Sequence, residues 1–117
     1  MGEIKDLLTK LEQFRDERDW GQFHDPKNLA LALSIEAAEL NELLLWKKES
    51  DLSSVDQDKL KDEIADVFAY AIMLAGQYDF DVVEIVRAKI LKNDQKYPIE
   101  IAKGNAAKYN ELEDAEG

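Results

Sequence analysis

The 117-residue chain contains no cysteine, which excludes disulfides, zinc–thiolate sites and a thiol nucleophile. It has two prolines and five glycines, and no segment approaches the roughly 18 consecutive apolar residues of a membrane span. Residues 1–10 lack the apolar core of a signal peptide. The length suits one domain. We therefore expect a single cytoplasmic domain with no membrane partner.

Basic residues are also few, with 15 Lys and Arg against 26 Asp and Glu and a formal net charge of −11. Binding to nucleic acid depends on basic patches that neutralise phosphates, so we expect no nucleic-acid partner. A phosphorylated substrate would be repelled unless a divalent cation offset the charge.

Four stretches carry helical periodicity, at about 2–20, 26–48, 56–77 and 81–97, and an arm follows at 98–117. Asp25 suits a helix N-cap and Pro26 the first helical position. Because the connecting segments are short, the sequence predicts an all-α four-helix antiparallel bundle that spans residues 1–117 as one domain.

The second and third predicted helices are apolar on more than one side. Leu31, Ile35 and Leu45 lie away from the main stripe of the second helix, and Ala65 and Ala69 oppose the stripe of the third. A helix that is apolar all round is buried all round, so these faces predict a symmetric homodimer. The alternative is that the Ala and Leu residues only raise helix propensity.

Two pairs of acidic residues lie within or beside the apolar stripes of these helices, and the members of each pair are three residues apart. Glu36 lies within the apolar stripe of the second helix and Glu39 follows it; Glu63 and Asp66 repeat the spacing on the third. Crowded carboxylates in an apolar setting need a compensating charge, and oxygen ligands suit Mg²⁺, Mn²⁺ or Ca²⁺. The single histidine, His24, lies outside both pairs, which argues against a diiron site. A solvated acidic edge and salt bridges to Lys or Arg remain alternatives.

Two further groups of residues suit a nucleotide. The fourth helix carries Lys89, Lys92, Asn93 and Lys96 on one face, which could hold phosphates or only complement the helix dipole. Trp20 and Trp46 bracket the helix of Glu36 and could stack on a base, or could cap the core. Other planar candidates are Tyr70, Phe23 and His24, while Phe14 and Phe68 are interpreted as core residues.

With these residues in view, nearly the whole sequence resembles the all-α nucleoside triphosphate pyrophosphatases of the MazG-like superfamily, and within it the dCTP pyrophosphatase type. The resemblance is carried by FRDERDWGQFHDPKNLALAL at 14–33, IEAAEL at 35–40, LLLWK at 43–47, DEIADVFAY at 62–70 and KYPIEIAKGNAAKYNEL at 96–112. Ile35 stands where the common pattern has an acid, a departure that the dCTP type shares.

The resemblance implies roles for particular residues. The catalytic Mg²⁺ ligands would be Glu36, Glu39, Glu63 and Asp66, with Mn²⁺ as a possible substitute. The base and sugar pocket would include Trp20, Trp46 and Tyr70, and phosphate contacts would come from Lys89, Asn93 and Lys96. Leu11 stands where some relatives have a histidine, which bears on base preference.

The implied activity is Mg²⁺-dependent hydrolysis of a ribo- or deoxynucleoside triphosphate to the monophosphate and pyrophosphate. The expected substrate is dCTP or a modified dCTP, the implied role is clearing the nucleotide pool, and the implied assembly is a dimer or dimer of dimers. Two alternatives stay open: a non-catalytic helical dimerisation or binding module, and a phosphoribosyl-ATP pyrophosphohydrolase.

Overall fold

The computed structural model describes residues 2–104, and this range contains helices and loops but no strand. Its α-helices are α1 (Glu3–Glu17), α2 (Pro26–Leu44), α3 (Gln57–Gln77), α4 (Val82–Lys96) and α5 (Ile99–Ala102). Short 3₁₀ turns lie at Gly21–Phe23 and Glu49–Ser54. The predicted all-α class is confirmed. None of the helices in residues 2–104 is both long enough and apolar enough to cross a membrane.

The chain divides into two compact units, one up to Asp81 and one from Val82 onward. In the first unit, α1 and α2 both pack against α3. The second unit contains α4 and α5. A four-helix antiparallel arrangement and a single domain over 1–117 therefore stay predictions. Of the predicted arm, residues 105–117 lie outside the described range.

Helix starts follow the capping chemistry of the sequence. The Asp25 carboxylate accepts a hydrogen bond from the Asn28 amide at 2.8 Å, and Pro26 is the first residue of α2. The Asp56 carboxylate accepts from the amides of Asp58 and Lys59, so α3 begins at Gln57. These side chains satisfy amides that have no partner within the first helical turn.

Two helices end earlier than the periodicity predicts, because the chain turns into the left-handed region. α1 stops at Glu17, Asp19 has φ 54°, and the Trp20 amide donates back to the Arg15 carbonyl at 3.0 Å. α2 stops at Leu44, and Trp46 has φ 64°. A left-handed residue is a common way to end a helix. Trp20 and Trp46 therefore lie in loops rather than within the helices predicted to extend to about 20 and 48.

The buried core is small and lies within the first unit, with Leu29 1% exposed and Val55, Ile72, Met73 and Ala75 also buried. The interpretation of Phe14 and Phe68 as core residues is wrong for this chain. Phe14 is 49% exposed and borders a cavity, and Phe68 is 62% exposed. Both rings sit on helix faces that no other described element of the first unit covers fully.

Helices α1 and α3 approach closely at Gly76. A Cβ atom added to this residue would lie 2.8 Å from Leu8 Cδ2 and 2.9 Å from Leu8 Cδ1, closer than carbon atoms normally pack. The absent side chain therefore permits the approach. This contact holds α1 against the helix that carries two of the four predicted metal ligands.

Candidate active site

Three carboxylates meet where α2 packs on α3. Glu36 and Glu39 lie one turn apart on α2, and Glu63 faces them from α3. One oxygen from each lies within 4.8 Å of the other two. The spacing of three residues puts the first two on one helix face, and the packing of the helices adds the third. We call Glu36, Glu39 and Glu63 the carboxylate cluster.

Two carboxyl groups of the cluster ionise less readily than isolated carboxyl groups do. Burial raises the pKa of Glu36 to about 7, and the neighbouring carboxylates of Glu39 and Glu63 add to this effect. Burial also raises the pKa of Glu63. Loss of water and the proximity of like charges both disfavour the ionised form.

The described part of the chain supplies no counter-charge to the carboxylate cluster. The Oε2 atoms of Glu36 and Glu63 are buried without a hydrogen-bond partner among residues 2–104. The ion pairs of Arg15 and Arg18 are formed with Glu12, Asp16 and Glu17, none of which belongs to the carboxylate cluster. This arrangement disfavours the salt-bridge alternative. Buried, unpaired carboxylate oxygens converging on one point fit a hard divalent cation.

Asp66, the fourth predicted ligand, lies one turn beyond Glu63 on α3 and stands outside that group of three. Its charge still contributes to the raised pKa of Glu36. Together with Tyr70 it lines an adjacent cavity. The pKa of Tyr70 is raised first by burial and then by the charges of Glu36, Asp66 and Glu39. Asp66 and Tyr70 therefore connect the carboxylate cluster with the cavity.

The cavity has a volume of about 140 Å³ and lies within the first unit. Aromatic rings form a continuous wall along it. Trp20 lies edge-to-face with Phe14 at 5.8 Å between centroids, and His24 lies 6.4 Å from both Trp20 and Tyr70. Its full lining consists of Leu11, Phe14, Arg15, Trp20, His24, Asp66, Ala69, Tyr70 and Met73. We call this space the aromatic cavity.

The loop between α1 and α2 supplies Trp20 and His24, and hydrogen bonds hold it in place. The Gln77 side chain, at the end of α3, donates to the His24 carbonyl. The Asn28 side chain donates to the Phe23 carbonyl at 3.0 Å. The loop is thereby attached to the end of α3 and to the first turn of α2.

The remaining predicted substrate-binding residues lie elsewhere. Trp46 is 92% exposed and is absent from the lining of the aromatic cavity. Lys89, Asn93 and Lys96 lie on α4, in the second unit. Phe23 is 59% exposed in the loop. The roles expected of these residues stay predictions.

Sequence reasoning connected Leu11 with base preference through the resemblance, but it missed four other residues of the cavity wall, namely Phe14, Arg15, Ala69 and Met73. A signal for them existed. Positions 11, 14 and 15 share one face of α1, and positions 66, 69, 70 and 73 share one face of α3. Pairing these two faces would have identified the wall, but periodicity does not say which faces of two helices meet.

Comparison with known proteins agrees with this architecture. The family model described as MazG-like matches residues 31–112. The chain is 36% identical to mouse dCTP pyrophosphatase 1 over 114 residues, covering 93% of this chain and 67% of the mouse protein. It has the same identity and coverage with the human dCTP pyrophosphatase 1. The crystal structure of a pyrophosphatase from Archaeoglobus fulgidus superposes with a TM-score of 0.77 at 39% identity, covering 84% of this chain and 94% of the archaeal one.

The chain belongs to the MazG-like family. The prediction that it is an enzyme, a hydrolase of the pyrophosphatase class, is confirmed by these likenesses.

Proposed function

We propose that the protein hydrolyses a nucleoside triphosphate between its α and β phosphates, releasing the nucleoside monophosphate and pyrophosphate, and that its substrate is dCTP or a modified dCTP. One observation carries the proposal: buried carboxylate oxygens of Glu36 and Glu63 without counter-charge adjoin an aromatic cavity. The names of the mammalian relatives support the choice of dCTP. Clearing the nucleotide pool is the role that such a reaction suits.

The carboxylate cluster, together with Asp66, fits Mg²⁺ or Mn²⁺. A divalent cation held there would draw charge from the phosphate oxygens and help to orient the attacking water. Either Glu36 or Glu39 would accept the proton that the water loses, since both lie in the carboxylate cluster.

The aromatic cavity suits the nucleoside part of the substrate. Trp20 and Tyr70 offer planar surfaces to a base or sugar, and stacking on such rings contributes about 1–3 kcal/mol per base. Asp66 and Tyr70 border both regions, so a nucleoside in the cavity has its phosphates directed toward the carboxylate cluster. Phosphate contacts by Lys89, Asn93 and Lys96, and a base contact by Trp46, belong to the same proposal.

Homo-oligomerisation is a further part of the proposal. Large apolar side chains on the outer faces of α2 and α3 are open in the single chain, with Leu31 51%, Ile35 57% and Phe68 62% exposed. Exposed apolar faces on packed helices are typical of subunit interfaces. We expect a dimer or a dimer of dimers, which sedimentation velocity would detect. The cytoplasmic location expected from the sequence stays a prediction.

The decisive experiment is a panel of ribo- and deoxynucleoside triphosphates, incubated with and without Mg²⁺, in which pyrophosphate and orthophosphate are measured separately. We expect pyrophosphate in amounts equal to the monophosphate, only with the metal, and fastest with dCTP or a modified dCTP. Orthophosphate as the sole phosphate product would refute α–β cleavage. Phosphoribosyl-ATP belongs in the panel, because faster turnover of that compound would assign the chain to the alternative reaction.

A further inference from the structure

His24 is the only histidine in the chain and lies in the loop between α1 and α2. Its ring forms part of the wall of the aromatic cavity, between the rings of Trp20 and Tyr70. Its backbone is held by the Gln77 side chain. The imidazole is therefore held in the wall of the aromatic cavity, where it offers nitrogen atoms for hydrogen bonds.

The two nitrogens of this ring have different surroundings. Nδ1 is closed off from solvent and has no hydrogen-bond partner among residues 2–104. Nδ1 is therefore closed to a molecule in the aromatic cavity, and Nε2 is the ring nitrogen left to bond with it. A buried polar atom without a partner lowers stability, so the position of the ring calls for a compensating role.

The tautomer follows from the same asymmetry. A proton on Nδ1 would be a buried donor with no acceptor, whereas an unprotonated Nδ1 leaves only a lone pair without a donor. Unpaired buried donors are the rarer of the two in the protein backbone, and the same preference applies here. We assign the proton to Nε2, which makes the open edge of the ring a hydrogen-bond donor.

We propose that His24 is a specificity-determining residue, whose Nε2–H donates a hydrogen bond to an acceptor atom on the edge of the bound nucleobase. The proposal rests on the proposed function, since it requires a nucleotide in the aromatic cavity. A carbonyl oxygen or an unprotonated ring nitrogen of a pyrimidine is such an acceptor. A phosphate oxygen is an acceptor too, so the experiment must distinguish a bond from His24 to the base from a bond to the phosphates.

Three substitutions distinguish the atoms of the ring. His24→Phe keeps a ring between Trp20 and Tyr70 but removes both nitrogens. His24→Gln keeps an amide donor near the position of Nε2, and His24→Asn places its amide near Nδ1. Gln22→Ala is the matched control, because Gln22 is exposed in the same loop and its side chain donates to the carbonyl and carboxylate of Asp19. Thermal melting of each variant reports whether it folds.

The measurements are kcat and KM for the four deoxynucleoside triphosphates, and inhibition by inorganic tripolyphosphate, which has no base. For His24→Phe we expect kcat/KM for the preferred nucleotide to fall about tenfold, mainly through KM. The preference among bases should shrink by the same factor, while tripolyphosphate inhibition stays within about twofold of the original protein. His24→Gln should recover most of the preference, His24→Asn should not, and Gln22→Ala should leave it unchanged.

Several results would overturn the proposal. The base preference could survive in His24→Phe, the tripolyphosphate inhibition could weaken in step with KM, or His24→Asn could rescue where His24→Gln does not. If His24→Phe fails to fold, the comparison of the Gln and Asn variants still decides. If the original protein releases no pyrophosphate from any nucleotide, the proposed function is refuted. That outcome differs from the results that would overturn only the role of His24.

Discussion

The carboxylate cluster and the aromatic cavity adjoin one another but are built differently. The cluster consists of charged groups on two long helices, α2 and α3, that pack against each other. The cavity draws its wall from α1, α3 and the loop between α1 and α2, and that loop depends on hydrogen bonds from Gln77 and Asn28. Helices hold groups more firmly than loops do. We therefore expect bond cleavage to depend on the carboxylate cluster, and the choice of substrate to depend on the aromatic cavity, whose wall includes a loop.

The largest expected effect comes from the carboxylate cluster. Glu63→Gln keeps the size of the side chain but removes its charge, and we expect kcat to fall by at least about 100-fold for every nucleotide. Asp62→Asn, an exposed acid next to it on α3, is the matched control and should keep activity. Pyrophosphate release and thermal melting are the measurements. A loss confined to one nucleotide would contradict the division between the two regions.

A smaller effect is expected from the aromatic cavity. Trp20→Ala removes the ring that packs against Phe14 and His24, and we expect KM to rise roughly 10- to 100-fold with kcat less affected. Trp20→Phe keeps an aromatic surface and should recover part of the loss. The measurement is steady-state kinetics with the preferred nucleotide. A fall in kcat with unchanged KM would show that the ring acts on the cluster rather than on binding.

The raised pKa of Glu36 predicts how pH affects both metal binding and stability. Its pKa is about 7 in the folded protein against an ordinary 4.5, so between these values the folded state holds the additional proton. Without metal, this group's contribution to stability therefore falls as pH rises through that window. Because Mg²⁺ competes with the proton, its affinity should rise about tenfold from pH 6 to pH 8.

Calorimetric titration of Mg²⁺ at the two pH values tests this expectation, with melting temperature as the second readout. Glu36→Gln should weaken metal binding and flatten its pH dependence. Equal Mg²⁺ affinity at pH 6 and pH 8 in the original protein would contradict a cation bound at Glu36.

The smallest effect is expected at the contact of α1 with α3. Gly76→Ala would press a methyl group against Leu8, and we expect a loss of about 1 kcal/mol in the free energy of unfolding despite the better helix propensity of alanine. Combining it with Leu8→Ala should cost less than the sum of the two single changes. Denaturant unfolding measures the free energy of unfolding of each variant. If the two single effects add up in the double variant, the added methyl group does not clash with Leu8.

Particular residues show how far sequence reasoning reached. The spacing of Glu36 and Glu39, and of Glu63 and Asp66, predicted that each pair shares a helix face, so the four acids would converge if the two helices packed together. In the structure α2 packs on α3 and three of the four come together. The early ends of α1 and α2 were missed, since Asp19 and Trp46 adopt left-handed backbone angles that periodicity does not reveal. His24 was considered as a planar candidate and as an argument against a diiron site, but its position beside Trp20 and Tyr70 depends on the path of the loop.

By itself, the sequence determined the helical class, the capped start of α2, the acidic pairs and the family, because these follow from local spacing, capping chemistry and residue type. Only the tertiary structure decided which helix faces meet, that Asp66 borders a cavity rather than joining the group of three, and that one nitrogen of His24 is closed off. Those features depend on contacts between residues far apart in the chain, and the angle and depth of such packing are set by the shapes of many side chains at once.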